Sequence, residues 1–332
     1  MIRSRTLFVV ALSIWGIVST AFYLAVSADP DRIPGEAKVA LSRRERIFFD
    51  PNPISTYMYP EGKLDFKAVE AMLDEAVGSL TGVADPVAAW RAMVKPVDTV
   101  GIMVDVRDLP VHLVVIDAVV QKLIRAGVQE SNVVIFAGEE NDLFNAGFAI
   151  NRDGPGIRCL GSERQGYRGE TSRIVLDDCT ALVDVSRLRV DRQIGVSGSI
   201  ANHLSCIPMV DRVQLLNNPT DMAAVANRPT IRRKILLHIL DALQPAYDFQ
   251  VGRKLPPRWD YRGLFVSHDP VALDALGAVL LTKYREQVKG GPWPLAPSPD
   301  YITTATVVHA LGQSDLSQIK LIKTGYDEGG LL

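Results

Sequence analysis

A strand–helix–strand rhythm begins near residue 99 and constrains the fold more than any other feature of this chain. Residues 99–104 form a short apolar run, and residues 112–126 place apolar side chains on one helical face before Gly127. Residues 132–136 form a second apolar run. Two strands joined by a crossover helix imply parallel pairing with a right-handed connection. The pattern therefore predicts an α/β fold with a mainly parallel sheet flanked by helices.

The alternation continues along the rest of the chain. Helices are expected after Asp65 and at Asp85-Pro86, where an aspartate precedes the first helical turn. Residues 138–172 are rich in glycine and charge and predict a long excursion from the sheet. The other predicted elements are strands at 174–176, 181–185, 264–266 and 319–322, and helices at 230–243, 270–285 and 299–311. The α/β domain is expected over residues 65–330.

The first residues have the features of an export segment. Arg3 and Arg5 precede an uncharged apolar run over residues 7–26, which small residues follow. A run of about 20 residues is long enough to span a bilayer, so residues 1–28 are either a signal peptide or a membrane anchor. Both alternatives place the folded part outside the cytoplasm, as a membrane-anchored or periplasmic protein. Residues 29–64 are polar and proline-dotted and predict a linker or surface arm.

Charge and cysteine content exclude several classes of protein. The formal net charge is -2, without the basic excess that a nucleic-acid-binding surface needs. Cys159, Cys179 and Cys206 include no Cys-x-x-Cys pair, so neither an iron–sulfur cluster nor a thiolate zinc site is encoded. A disulfide such as Cys159–Cys179 stays open as an alternative. A chain exported unfolded acquires any cofactor afterwards, which favours a free divalent metal ion.

Residues 195–208 form the most distinctive polar stretch of the chain. It contains two glycines, three serines and an Asn-His pair, and it follows a predicted buried strand. Small residues let the backbone approach a ligand closely, and the Asn-His pair adds acceptors and a metal or proton site. The alternatives are a loop whose polar groups satisfy its own backbone, and a hydrolase that uses one of the serines. The predicted ligand-binding residues are Ser197, Ser199, Asn202 and His268.

Acidic side chains collect after the predicted strands, where open α/β sheets bind ligands. Asp105, Asp184 and Asp269 each follow a strand, and clustered carboxylates repel one another unless a cation offsets them. Asp274 lies in a helical segment that is apolar on every side, where an unpaired carboxylate is costly to bury. The predicted metal ligands are Asp105, His203, Asp269 and Asp274, and the predicted catalytic residues are His203, as a ligand or general base, and Asp274. The alternative role of Asp269 is to cap the helix that begins at Pro270. The histidines His112, His238 and His309 are expected to be structural or surface residues.

Several short motifs together resemble a known family, the uncharacterised proteins grouped as domain of unknown function 362. Residues 267–274 (Ser-His-Asp-Pro-Val-Ala-Leu-Asp) are similar to its Asp-Pro-Val-Ala-x-Asp signature. Residues 95–102 resemble its first strand motif, and residues 195–203 resemble its Gly-Val-Thr/Ser…Lys-Asn-His loop. The resemblance extends over about 95–325. Because relatives often carry twin-arginine signals or ferredoxin-type cysteine modules, it implies an anaerobic or redox setting, although this chain has neither feature.

The chain departs from the family pattern at three lysine positions. Met103, Arg189 and Ala201 stand where the resemblance implies lysines, and Asp105 replaces the usual asparagine. The leading expectation is an exported protein that binds a small ligand or a divalent metal, and more specifically an enzyme of redox or metal metabolism. The alternative is a catalytically inactive interaction module at the membrane.

Overall fold

The computed structural model describes residues 35–48, 63–249 and 255–332. Their strands are β1 (Ala37–Arg43), β2 (Val100–Val104), β3 (Val133–Ala137), β4 (Arg158–Gly161), β5 (Tyr167–Arg168), β6 (Thr171–Ser172), β7 (Ala181–Asp191), β8 (Gly195–Ser197), β9 (Ile235–Ala246), β10 (Gly263–Ser267) and β11 (Ile319–Gly325).

The helices of the same residues are α1 (Phe66–Thr81), α2 (Pro86–Met93), α3 (Leu113–Ala126), α4 (Glu140–Asn145), α5 (Ser162–Gln165), α6 (Ser199–Asn202), α7 (Met209–Asn217), α8 (Met222–Ala226), α9 (Pro229–Arg232), α10 (Pro270–Lys289) and α11 (Tyr301–Val307). Short 3-10 turns lie at Glu130–Asn132, His203–Cys206, Pro219–Asp221 and Leu316–Gln318, and a π-helical turn lies at Ile174–Asp178.

Nine of the strands form one mixed sheet in the order β11-β1-β10-β9-β7-β2-β3-β4, with β8 paired to β7. Five of the eight strand pairings in this sheet are parallel. The predicted strand–helix–strand unit is confirmed, because β2 and β3 pair in parallel with α3 between them. The α/β fold and the mainly parallel sheet are therefore confirmed.

The two faces of the sheet bury different groups because side chains alternate along each strand. Val183 and Val185 of β7 join the apolar core that α1, α2 and α3 cover. Leu182 joins the core on the opposite face, beneath α8, α11 and the 195–206 segment. Asp184 lies two residues from Leu182 and is fully buried, so it is a carboxylate on the same face as that second core.

Helix starts are the local features that the sequence predicts best. Asp65 and Asp85 cap α1 and α2 by accepting hydrogen bonds from Lys67 N–H and Ala88 N–H. Gly127 ends α3 with a left-handed backbone conformation (φ +112°) that glycine adopts without strain. These signals lie within one or two turns of chain, so the sequence alone is enough to read them.

The predicted linker over 29–64 is wrong at residues 37–43, which form β1 inside the sheet. β1 pairs antiparallel with β10 and parallel with β11. β1 ends at Arg43, whose guanidinium is buried over the ring of Tyr261 and donates to the Tyr261 carbonyl. A strand whose partners lie more than 200 residues away gives no local signal of pairing.

The predicted helix over 230–243 is also wrong, since β9 begins at Ile235 and lies between β10 and β7. A strand that is covered on both faces is a continuous apolar run, and such a run also fits a helical spacing. The predicted strand at 174–176 is wrong, because these residues belong to the π-helical turn. The predicted excursion at 138–172 is interrupted by β4, which returns to the sheet and pairs with β3.

The predicted export segment 1–28 lies outside the described residues. No helix among the residues that the structure describes is both long and apolar enough to cross a bilayer. Cys159, Cys179 and Cys206 are buried free thiols, so the disulfide alternative is not realised.

Candidate functional site

The 195–206 segment folds against Asp274 of α10. The Ser199 and Ile200 N–H groups donate to the two carboxylate oxygens of Asp274, at 2.7 and 3.0 Å. A Cβ at Gly198 would lie 2.3 Å from Asp274 Oδ1, so only glycine permits this approach. Burial raises the pKa of Asp274 to about 7, and the two N–H groups act against that rise. Both oxygens are therefore occupied by the backbone of α6, and Asp274 positions the segment that carries His203.

A second buried carboxylate, Asp184, lies at the centre of a polar network on β7. Its Oδ2 accepts a hydrogen bond from the hydroxyl of Ser199 and lies 2.9 Å from His238 Nδ1. Its Oδ1 accepts from the Asn202 amide at 2.7 Å. β7 and β9 set this geometry, because Asp184 and His238 are directly paired residues of neighbouring parallel strands.

Ser199 does not have the geometry of a hydrolase nucleophile. Its hydroxyl lies 3.0 Å from His238 Nδ1, the same nitrogen that faces Asp184. In a Ser-His-Asp triad the serine and the acid bond opposite nitrogens of the imidazole. Ser197, the other candidate, accepts a hydrogen bond from Arg107 at 3.3 Å. The contacts of both serines are structural.

His203 presents one of its ring nitrogens to the same site. Its Nδ1 lies 2.8 Å from the Ser199 carbonyl oxygen, which only accepts hydrogen bonds, so Nδ1 carries the proton. The imidazoles of His203 and His238 have their centroids 5.4 Å apart. Burial lowers the pKa of His203, with the nearby Asp184 acting against this, so the ring is neutral at pH 7. A neutral imidazole whose Nδ1–H is held by an acceptor leaves Nε2 as a metal ligand.

Asp184, His203 and His238 can share one metal ion. One ligand atom from each of these buried residues lies within 4.8 Å of the others. Zinc binds imidazole nitrogen and carboxylate oxygen at roughly 2.0–2.2 Å, so the ligands of a bound ion lie about 3–4 Å apart. The group therefore needs to contract by only about 1 Å to hold an ion. Two imidazoles and one carboxylate with open coordination positions suit zinc or iron(II).

A cavity of about 530 Å³ adjoins the two imidazoles. His203 and His238 line it together with Lys38 at the start of β1, Arg232 at the end of α9, and the 267–270 turn before α10. This volume is within the range of small-ligand sites. The metal-binding group thus lies beside a space large enough for a ligand of modest size.

The other predicted site residues lie outside the Asp-His-His group. The Asp105 carboxylate is buried in an ion pair with Arg189, away from the Asp-His-His group. Asp269 caps α10, since its Oδ1 accepts from Val271 N–H and Ala272 N–H and its Oδ2 accepts from Gln313 N–H. His268 is exposed and lines the cavity, and its Nδ1 donates to the Leu236 carbonyl at 2.9 Å.

The Asp-His-His group does not lie at the carboxyl ends of the parallel strands, where a ligand site was predicted. Asp184 and His238 are the fourth residues of β7 and β9, and their side chains stand on a face of the sheet. His238 was assigned a structural or surface role because residues 230–243 were interpreted as a helix. Asp184 was noted only as a residue after a strand. The one signal that could have revealed both is the presence of polar residues inside otherwise apolar strand sequences.

Comparisons with known proteins give a family match over part of the chain and no activity. Residues 170–279 match the family model described as domain of unknown function (DUF362), which confirms the predicted resemblance over that span. The matched span contains Asp184, His203 and His238. A crystal structure of a protein from Thermotoga maritima is similar with a TM-score of 0.34 and 11% sequence identity, over 60% of this chain and 54% of that one. No curated protein matches.

Proposed function

We propose that this chain, whose residues 170–279 match domain of unknown function 362, binds a divalent transition-metal ion at the Asp184, His203 and His238 group, with the two imidazoles as ligands and Asp184 bonded to His238 Nδ1. The observation that carries the proposal is the state of the two imidazoles. Each has its Nδ1 bonded within the protein, and neither Nε2 has a hydrogen-bond partner among the described residues. Metal-ligating histidines show this arrangement, with one nitrogen held by a carboxylate or carbonyl and the other on the ion.

The charges around the group support a bound cation. Asp184 is fully buried, and burying an ionised carboxylate is costly unless a charge or hydrogen bonds offset it. Ser199 and Asn202 satisfy its oxygens, but neither carries charge. A divalent ion on the two imidazoles would place positive charge beside this carboxylate. Asp184 would then hold His238 in place and balance part of the charge of the ion.

Cobalt(II) titration tests the proposal directly, because cobalt replaces zinc or iron(II) in such sites and absorbs visible light when protein ligands bind it. The purified protein is expected to bind one equivalent. His203→Ala and His238→Ala are expected to lose that binding while staying folded by circular dichroism. Ser199→Ala removes a hydroxyl that bonds Asp184 and contacts His238 Nδ1, but no proposed ligand, and is expected to weaken binding about 10–100-fold.

His112→Ala is the matched control. His112 is also paired to a buried aspartate, with its Nδ1 2.7 Å from Asp241, but it lies outside the cavity. Cobalt binding by the control should equal that of the wild type. A folded wild-type protein that binds neither cobalt nor zinc would refute the proposal and would favour the interaction-module alternative.

The proposal also includes where in the cell the protein lies and what reaction class the metal ion serves. We place the protein outside the cytoplasm, with residues 1–28 as its signal or membrane anchor. Membrane fractionation and the mass of the mature N-terminus test this. An activity in redox or metal metabolism is the more specific form of the proposal, because open coordination positions beside a cavity let an ion act on a small ligand.

A further inference from the structure

The cavity beside the Asp-His-His group has two cationic side chains that form no ion pair with any acid of the described residues. Lys38 is exposed at the start of β1, and its ammonium group makes no hydrogen bond or ion pair among the described residues. Arg232 donates through one terminal nitrogen, Nη1, to two neutral carbonyl oxygens, of the Asn227 side chain at 2.8 Å and of Ala310 at 3.4 Å. Its guanidinium is therefore held in place, while its charge and its other N–H groups stay available.

Neither acid of the cavity, Asp269 or Glu36, forms an ion pair with these cations. Asp269 uses both of its oxygens on backbone N–H groups of α10 and of the segment that follows α11. Glu36 is exposed at the rim and forms no ion pair with Lys38 or Arg232. His268 adds a further nitrogen, since its Nδ1–H is bonded to Leu236 and its Nε2 has no partner among the described residues. The cavity thus combines two free cations with imidazole nitrogens.

We infer that the cavity binds a small ligand through an oxyanion, a phosphate or carboxylate group, held between the proposed metal ion and Arg232 with Lys38. The inference rests on the proposed function for the metal contact, whereas the two cations belong to the protein itself. A guanidinium presents parallel N–H groups that match two oxygens of a phosphate or carboxylate. An ion that is held by the two imidazoles also keeps positions for an exogenous oxygen.

Four parts of the chain build this arrangement. Lys38 comes from β1, Arg232 from the end of α9, and the imidazoles from β9 and the segment after β8. Asn227 ties the Arg232 side chain to the end of α11, because its amide also donates to the His309 carbonyl at 2.7 Å. A positioned arginine on a cavity wall loses less conformational freedom when it binds an anion than a free surface arginine would.

The test uses inorganic phosphate and oxalate as probes, titrated by calorimetry into the full-length protein with and without cobalt. The wild type is expected to bind at least one probe more tightly when loaded with cobalt. Arg232→Gln and Lys38→Gln are each expected to weaken that binding about 10-fold. The matched control is Arg233→Gln, whose side chain is next in sequence and does not line the cavity.

Cobalt affinity, measured without either probe, separates this inference from the proposed function. It should be unchanged in the two cavity variants, because neither residue is in the metal-binding group. If the wild type binds no cobalt, the proposed function fails, and probe binding to the metal-free protein still tests the two cations. Binding of neither probe, or equal affinities in Arg232→Gln, Lys38→Gln and the control, overturns the inference.

Discussion

Substituting Gly198 by alanine tests whether the close contact between the 195–206 segment and Asp274 builds the site. The added Cβ would lie 2.3 Å from Asp274 Oδ1 and 3.0 Å from its Cγ. Ordinary contact needs about 3.4 Å or more, so one of the two groups must move by roughly 1 Å. The carboxylate has little freedom, because its oxygens hold the Ser199 and Ile200 N–H groups inside the protein.

The energetic cost follows from those two hydrogen bonds. Leaving a buried hydrogen-bonding group without its partner costs about 1–3 kcal/mol, and inserting a methyl group into a filled interior costs about 1–3 kcal/mol. Relaxation removes part of either cost, so we expect the free energy of unfolding to fall by about 3 kcal/mol. The displacement also moves the Ser199 carbonyl that holds His203, so cobalt affinity should fall at least 10-fold.

Urea unfolding and cobalt titration of the same samples measure both effects. Gly291→Ala is the control, because a Cβ there meets nothing within 4 Å. If Gly198→Ala unfolds within about 1 kcal/mol of the wild type and binds cobalt equally well, the contact is not what positions His203, and the reasoning is wrong.

Two further predictions concern buried charges outside the metal-binding group. Asp105→Ala leaves Arg189 buried without its partner and should cost about 3–5 kcal/mol of stability, while cobalt affinity of the folded variant stays unchanged. Burial alone would raise the pKa of Asp241, but His112 and Arg187 lower it to about 2. Because this pKa lies below the value of about 3.8 in the unfolded chain, Asp241 adds about 2 kcal/mol of stability above pH 4, which is lost as the pH falls towards 2. The stability difference between the wild type and Asp241→Asn, measured by urea unfolding, should therefore shrink with acidification. A difference that is constant from pH 6 to pH 3 would contradict the assignment.

Features with a local cause could be predicted from the sequence. The caps at Asp65, Asp85 and Asp269 depend on residues within one helical turn, and α3 shows its buried face through spacing alone. His203 of the 195–206 segment and Asp274 were assigned to one predicted site for a related reason. An acid in an apolar helix needs a polar partner, and a segment of small polar residues is able to provide one.

Features that depend on distant partners could not be predicted in this way. β9 is covered on both faces, so its apolar run had no period that distinguished strand from helix, and His238 was misplaced with it. The pairing of His238 with Asp184 is a matter of strand register, which no pattern within either strand determines. Of the three residues in the metal-binding group, the sequence therefore predicted only His203 as a ligand.

The position of β1 has a consequence for how this chain reaches its native state. Arg43 in β1 bonds to Tyr261, 218 residues later, and the Leu41 carbonyl accepts from Thr324, 283 residues later. Contacts between such remote parts of a chain form slowly, because a large loop must close before they contribute any stability. β1 is synthesised early, but it has no partner on either side until β10 and β11 have been synthesised. A version shortened before Ile319 would leave one side of β1 as an open edge, prone to pairing with other molecules.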